Sequence, residues 1–149
     1  MINAFATMAA KGKLVSFQYD PGPIGSAEVE IDVDYCGICH SDICMIDNDW
    51  GRSLYPLVPG HEVIGTVCAV GPGVTTLNVG DVVGLGWHSE YCMTCGTCMS
   101  GDHNLCLSAR PTIVGRHGGF ADKVRAAAAS VVKLPPGIER ASAGPLFCA

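Results

Sequence analysis

Cys92, Cys95, Cys98 and Cys106 fall within fifteen residues of one segment, YCMTCGTCMSGDHNLC. A loop so dense in thiol must fold around disulfides, a metal or a redox centre. Met1–Ala10 carries no basic stretch ahead of an apolar run, so no secretory leader is expected. A cytoplasmic protein then follows, with its nine cysteines mostly reduced. An odd count also cannot pair completely. Metal is therefore the better reading. Thiolates at C-x2-C spacing grip one tetrahedral ion from a single turn, and two further sulfurs close the cage. Gly96 and Gly101 are expected to let the backbone turn around the ion. Four sulfurs with no open position suit structural zinc, with an iron–sulfur centre as the alternative. Four unrelated core cysteines would be the plain alternative. A zinc ribbon on nucleic acid would share the spacing, but the net charge of −5 opposes it.

The remainder reads as β structure. Ala27, Val29, Ile31, Val33 and Tyr35 alternate with Glu28, Glu30, Asp32 and Asp34, a strand with one buried face. Val63–Val70 is an apolar run closed by Gly71-Pro72-Gly73. Further strands are predicted over Val82–Leu85, Phe120–Val124 and Val131–Leu134. Ser41 is a candidate N-cap for a short helix through Ile46, with Asp42 in its first turn. Ile138–Phe147 could hold another helix, limited by Pro145. Nineteen glycines and nine prolines break the chain often. The expected fold class is mainly β: one barrel domain over 1–149 with short helices and the four-cysteine lobe inserted between strands. At 48% hydrophobic and 15% charged the chain can bury a core. No apolar run approaches the ~20 residues of a membrane-spanning helix, so no membrane partner is expected.

A second ligand set is carried by YCGICHSDIC and VPGHEVIG. Cys39 ends one strand, and His61 and Glu62 begin another. Cysteine and histidine from separate elements, with a third ligand from elsewhere, would give zinc an open position for substrate. A buried cysteine and a hydrogen-bonded histidine are the ordinary alternative.

These stretches, with VGDVVG, the C-x2-C-x2-C-x7-C loop and the final GPLFCA, resemble the catalytic domain of zinc-dependent medium-chain alcohol dehydrogenases, in the cinnamyl and yeast-type branch. The resemblance runs over nearly the whole chain. It implies a GroES-like β-barrel and a catalytic zinc on Cys39, His61 and Cys148, with Glu62 beside it as an alternative ligand. Asp42 matches the carboxylate that orients the histidine ligand. His40 matches a residue facing the cofactor pyrophosphate, or is a solvated surface histidine. Ser41 matches a proton-relay hydroxyl, or is only the N-cap. Trp50 and Trp87 match walls of the substrate pocket, or are core aromatics. The implied activity is hydride transfer between a primary alcohol or aldehyde and NAD or NADP, in a protein that leaves room for a homo-oligomer. Cys36, Cys44 and Cys68 are expected to pack, and His88, His103 and His117 match no functional position.

The chain departs from the family pattern at Cys44, where many relatives carry the histidine that ends the relay. A thiol of ordinary pKa near ~8.5 is a poor base at neutral pH. No G-x-G-x-x-G lies within the 149 residues, so the nucleotide-binding Rossmann domain is expected to be absent and the chain alone inactive. A stand-alone zinc-binding module is the alternative function. With one residue after it, Cys148 is expected to be loosely held, with Pro145, Leu146 and Phe147 presenting apolar surface.

Overall fold

The computed structural model describes residues 1–148. Among the described residues nine strands are formed: β1 (Ile2–Ala6), β2 (Val15–Tyr19), β3 (Glu28–Gly37), β4 (Glu62–Val70), β5 (Val82–Leu85), β6 (His88–Glu90), β7 (Arg110–Pro111), β8 (Lys123–Ala127) and β9 (Val131–Lys133). Three short helices accompany them: α1 (His40–Asp47), α2 (Gly96–Met99) and α3 (Arg140–Ala143). The central sheet is antiparallel, ordered β8-β3-β4-β5-β9, and curls into a half-barrel. The pairs β1-β2 and β6-β7 form separate ribbons. The expected mainly β class holds.

The core lies inside the curl. Val29, Ile31, Val63, Val67, Val83, Leu85 and Val124 are buried there against one another. Each such side chain contributes about 1.5–3 kcal/mol when fully buried. The period-two reading of β3 holds at Val29 and Ile31 and then fails, since Tyr35 is exposed. The ladder to β4 shifts between Val33 and Tyr35, leaving Asp34 without an opposing residue. That extra residue turns the following side chains to the other face.

Four expectations need correction. The predicted strand at Phe120–Val124 begins instead at Lys123. The Phe120 amide donates to the Pro59 carbonyl and the Asp122 amide to Asn3, while the Asp122 carbonyl accepts the Val33 amide of β3, so this stretch stitches loop, ribbon and central sheet together. The helix expected over Ile138–Phe147 is split into α3 and a 3-10 turn at Gly144–Phe147, because Pro145 cannot continue an α-helical ladder. Ser41 is not the N-cap of α1. Cys39 holds that place, and its amide donates to Asp42 Oδ2 at 3.0 Å, so the acidic third residue ties the start of the helix. Finally, Phe147 is half-buried rather than displayed, although Pro145 and Leu146 are exposed.

Candidate metal centres

The four-cysteine lobe lies between β6 and β7. Cys95 is the N-cap of α2, Cys98 lies within it, and Cys106 follows a 3-10 turn at His103–Leu105. The sulfurs of Cys106 and Cys92 are 3.5 Å apart, those of Cys92 and Cys98 3.9 Å, and those of Cys95 and Cys106 3.9 Å. Four sulfurs at about 2.3 Å from one tetrahedral zinc would stand about 3.8 Å apart. The donor set therefore fits the ion in both chemistry and spacing. The Cys95 amide points at Cys92 Sγ, 3.4 Å away. Amide donors from Thr94 and Cys95 draw the Cys92 thiol down to about 6, whereas burial pushes Cys98 up to about 12. The expected turn at Gly101 has φ +93, but Gly96 has no left-handed backbone; Met93, at φ +59, makes the other tight turn.

The second centre gathers Cys39, His61, Glu62 and Cys148, whose donor atoms all lie within 4.8 Å of one another. Cys39 Sγ is 3.6 Å from Cys148 Sγ, and His61 Nε2 is 3.3 Å from the same sulfur. Those gaps are close to the edges of a tetrahedron around zinc with sulfur and imidazole ligands. His61 is fully buried and Glu62 nearly so, whereas Cys148 is exposed. The cluster thus has a closed floor and an open side.

Asp42 organises this floor. Its Oδ1 accepts the Gly60 amide at 2.8 Å and faces His61 Nδ1 at 3.0 Å. With Nδ1 protonated against the carboxylate, Nε2 presents its lone pair towards the two sulfurs. Burial opposes the charged imidazole, but Asp42 outweighs it and His61 is raised above its ordinary value. The Ser41 amide, followed by weaker contacts, lowers the Cys39 thiol despite some burial; burial pushes Cys148 up to about 11.

The walls are aromatic. The Trp87 ring meets His61 edge-on at 5.0 Å, and Trp50 meets Trp87 in a T-shaped pair at 5.9 Å. Trp87 also packs on the small core of Met45, Leu57 and Ile113 beneath α1, so its core and pocket readings coexist. Trp50 is 46% exposed and has no such core role. Ser41 and His40 occupy the first turn of α1, with His40 exposed. Cys44 is buried. Burial pushes Cys36 up to about 12, in keeping with a packing role. Among the described residues no helix is long and apolar enough to cross a membrane.

The sequence reading missed β1, β2, β6 and β7, and with them the polar junction where Asn3 bonds Asp122. It also missed the glycines that receive the Cys148 segment. The alternation Val83-Gly84-Leu85-Gly86 was the only available signal for them.

Residues 25–136 match the alcohol dehydrogenase GroES-like domain family. The aldehyde reductase AdhA of Synechocystis sp. is 66% identical over 148 residues, 99% of this chain and 44% of that protein. A cinnamyl alcohol dehydrogenase from Sorghum bicolor superposes with TM-score 0.91 at 37% identity, over 99% of this chain and 44% of the other. The CAD of Helicobacter pylori, solved with NADP(H), gives 0.92 at 28% identity, over 99% and 45%. The chain thus spans less than half the length of these relatives. In sequence and in fold, this chain belongs to the alcohol dehydrogenase GroES-like domain family.

Proposed function

We propose that this chain is the catalytic domain of a zinc-dependent alcohol or aldehyde oxidoreductase, moving hydride between a primary alcohol and NAD or NADP. The observation that carries this reading is the meeting of Cys39, His61 and Cys148 on an open-sided cluster with Asp42 behind the imidazole. Zinc held there supplies a Lewis acid for the alcohol or carbonyl oxygen, and the nicotinamide supplies the hydride chemistry. Asp42 fixes the His61 tautomer. Glu62 stands by as a carboxylate donor. Trp50 and Trp87 narrow the approach to an apolar slot, which favours the carbon end of an alcohol over water. Ser41, freed from a capping role, is the hydroxyl nearest in sequence to Cys39 and passes the alcohol proton outward. His40, exposed beside it, would face the phosphates of a bound nicotinamide dinucleotide. The four-cysteine lobe holds a second, structural zinc.

A stand-alone binding module is not favoured, because the relatives named above are a reductase and dehydrogenases. The NADP(H) complex of the Helicobacter enzyme supports a nicotinamide dinucleotide. Nine free thiols support a reducing compartment such as the cytoplasm. Exposed Met99, Leu105 and Leu107 on the lobe offer an apolar face to a second copy. Neither nucleic acid nor membrane is assigned as a partner.

The test is metal analysis and alcohol oxidation by the protein carrying this chain. Two zincs per chain are expected, and Cys39→Ser should remove one of them together with turnover. Retention of both zincs and of activity in Cys39→Ser would overturn the assignment.

A further inference from the structure

Cys39 caps α1 and His61 immediately precedes β4, so both are fixed by regular structure. Cys148 follows only a 3-10 turn. Its place beside the other two donors therefore depends on what that turn packs against. The turn packs on β3, β4 and β5, and at its Cys148 end it meets β5 and the residue after it. A β-carbon built on Gly84 would collide with the tip of the Phe147 ring, 2.0 Å from Cζ, and its three nearest atoms all belong to that ring. A β-carbon on Gly86 would overlap the Phe147 carbonyl oxygen. Val83 and Leu85 are fully buried on the core side of β5, so position 84 lies on the opposite face. There the missing side chain leaves a slot, and Phe147 fills it one residue before Cys148.

The other end of the segment is held in the same way. A β-carbon on Gly144 would lie 3.0 Å from the Glu62 carbonyl oxygen and 3.4 Å from the Gly37 amide. One on Gly37 would overlap the Glu62 carboxylate. Ala143 is buried, and Arg140 reaches Asp34 at 2.8 Å. The segment from Arg140 to Cys148 is thus clamped at both ends, and the clamp nearer Cys148 consists of Phe147 on two glycines.

We propose that Gly84 and Gly86 form a socket for Phe147 that positions Cys148 against Cys39 and His61, so that β5, which supplies no donor, controls metal occupancy at this centre. The inference rests on the reading of Cys39, His61 and Cys148 as the ligand set. Gly84 and Gly86 act as positioning residues. They touch neither metal nor substrate, and their effect passes through the ring and backbone of Phe147. A methyl group at position 84 leaves the ring no room, and overpacked sites relax by moving the more weakly held partner. That partner is the terminal turn, since β5 is paired on both sides.

The test uses the protein carrying this chain in its parent form and as Gly84→Ala, Gly84→Ala/Phe147→Leu and Cys39→Ser. Each is dialysed against a zinc chelator of known affinity and its retained zinc counted. Gly84→Ala should keep the four-cysteine zinc and hold the other at least about tenfold more weakly, the scale seen when a ligand loses its support. Cobalt substitution should show the absorption of the mixed sulfur–nitrogen site fading while that of the four-sulfur site persists. Phe147→Leu removes about the volume that the new methyl adds, and should restore the second ion. If Gly84→Ala keeps the second zinc at parental affinity while Cys39→Ser loses it, the socket is wrong and the ligand assignment stands. If Cys39→Ser keeps it, the assignment itself falls. If Gly84→Ala loses both ions, recovery in the Phe147→Leu background supports the socket, and failure to recover overturns it.

Discussion

Asp42 Oδ1 stands 3.0 Å from Nδ1 of His61, and the same carboxylate binds the amides of Cys39 and Gly60. One buried side chain thus joins the helix start that carries one donor to the strand start that carries another. Asp42→Asn keeps the shape but replaces an oxygen with an N–H donor. It should weaken zinc at this centre by about 10- to 100-fold without disturbing the four-cysteine ion. Asp42→Ala should also lower stability, because each buried amide left unpaired costs about 1–3 kcal/mol. Chelator competition and thermal melting measure the two effects separately. Equal zinc affinity in Asp42→Asn would remove the carboxylate from the centre's chemistry.

The four-cysteine lobe should be a folding element. Cys98 is buried at the heart of the sulfur cluster. Cys98→Ser should lower the melting temperature in zinc-replete buffer, because ion binding at such sites is coupled to folding. A strong chelator should do the same to the parent protein. A variant that melts with its parent would show that the lobe stands without its ion.

The Trp50–Trp87 pair separates specificity from stability. Trp50 is largely exposed and touches Trp87 edge-on. Trp50→Ala should therefore change kcat/KM between short and bulky alcohols by about 10-fold or more, as one lost apolar contact allows. Its cost in stability should stay near or below about 1 kcal/mol. Trp87→Ala should cost about 3–5 kcal/mol, because it also empties space above Met45 and Leu57. Steady-state kinetics on an alcohol series, with melting curves, would expose any reversal of that order.

The Lys123–Asp32 pair makes a pH-dependent contribution with a definite window. Lys123 holds the Asp32 carboxyl below its ordinary value, and Asp32 in turn raises Lys123. The Asp32 contribution is fully present above 3.8 and is lost as pH falls through its lower folded-state value. The Lys123 contribution is fully present below 10.5 and is lost as pH rises through its higher one. Asp32 is half exposed, so solvent screening limits the pair to about 0–1 kcal/mol. Lys123→Gln should lower stability by that amount between those limits, and the difference should shrink in molar salt. Denaturant titrations at several pH values would reveal a salt-insensitive effect, which this account does not allow.

Sequence and structure agree best where a local rule decides. Cys92, Cys95, Cys98 and Cys106 lie close enough in the chain that any compact turn brings their sulfurs together. The strand over Val82–Leu85 was readable because an apolar run followed a Gly-Asp turn. Alternation marked the start of β3 but not its end, because the bulge at Asp34 depends on how β4 pairs with it. The Ser41 cap was misread because serine is a good cap in general. Here Asp42, two positions after His40 begins the helix, takes the Cys39 amide instead.

By itself the sequence determined the mainly β, glycine-punctuated character, the lobe that four nearby thiols can close on one ion, and the residue types able to hold a second. It did so because these properties depend on composition and on spacings of a few residues. The family resemblance named Cys39, His61 and Cys148 together, but only the tertiary structure brings these residues, separated by up to 109 positions, within 4.8 Å of one another. That meeting depends on the curl of the β3-β4-β5 sheet and on a ring settled against two glycines. Such a contact leaves no periodic trace, because the signal at Gly84 and Gly86 is a side chain that is not there.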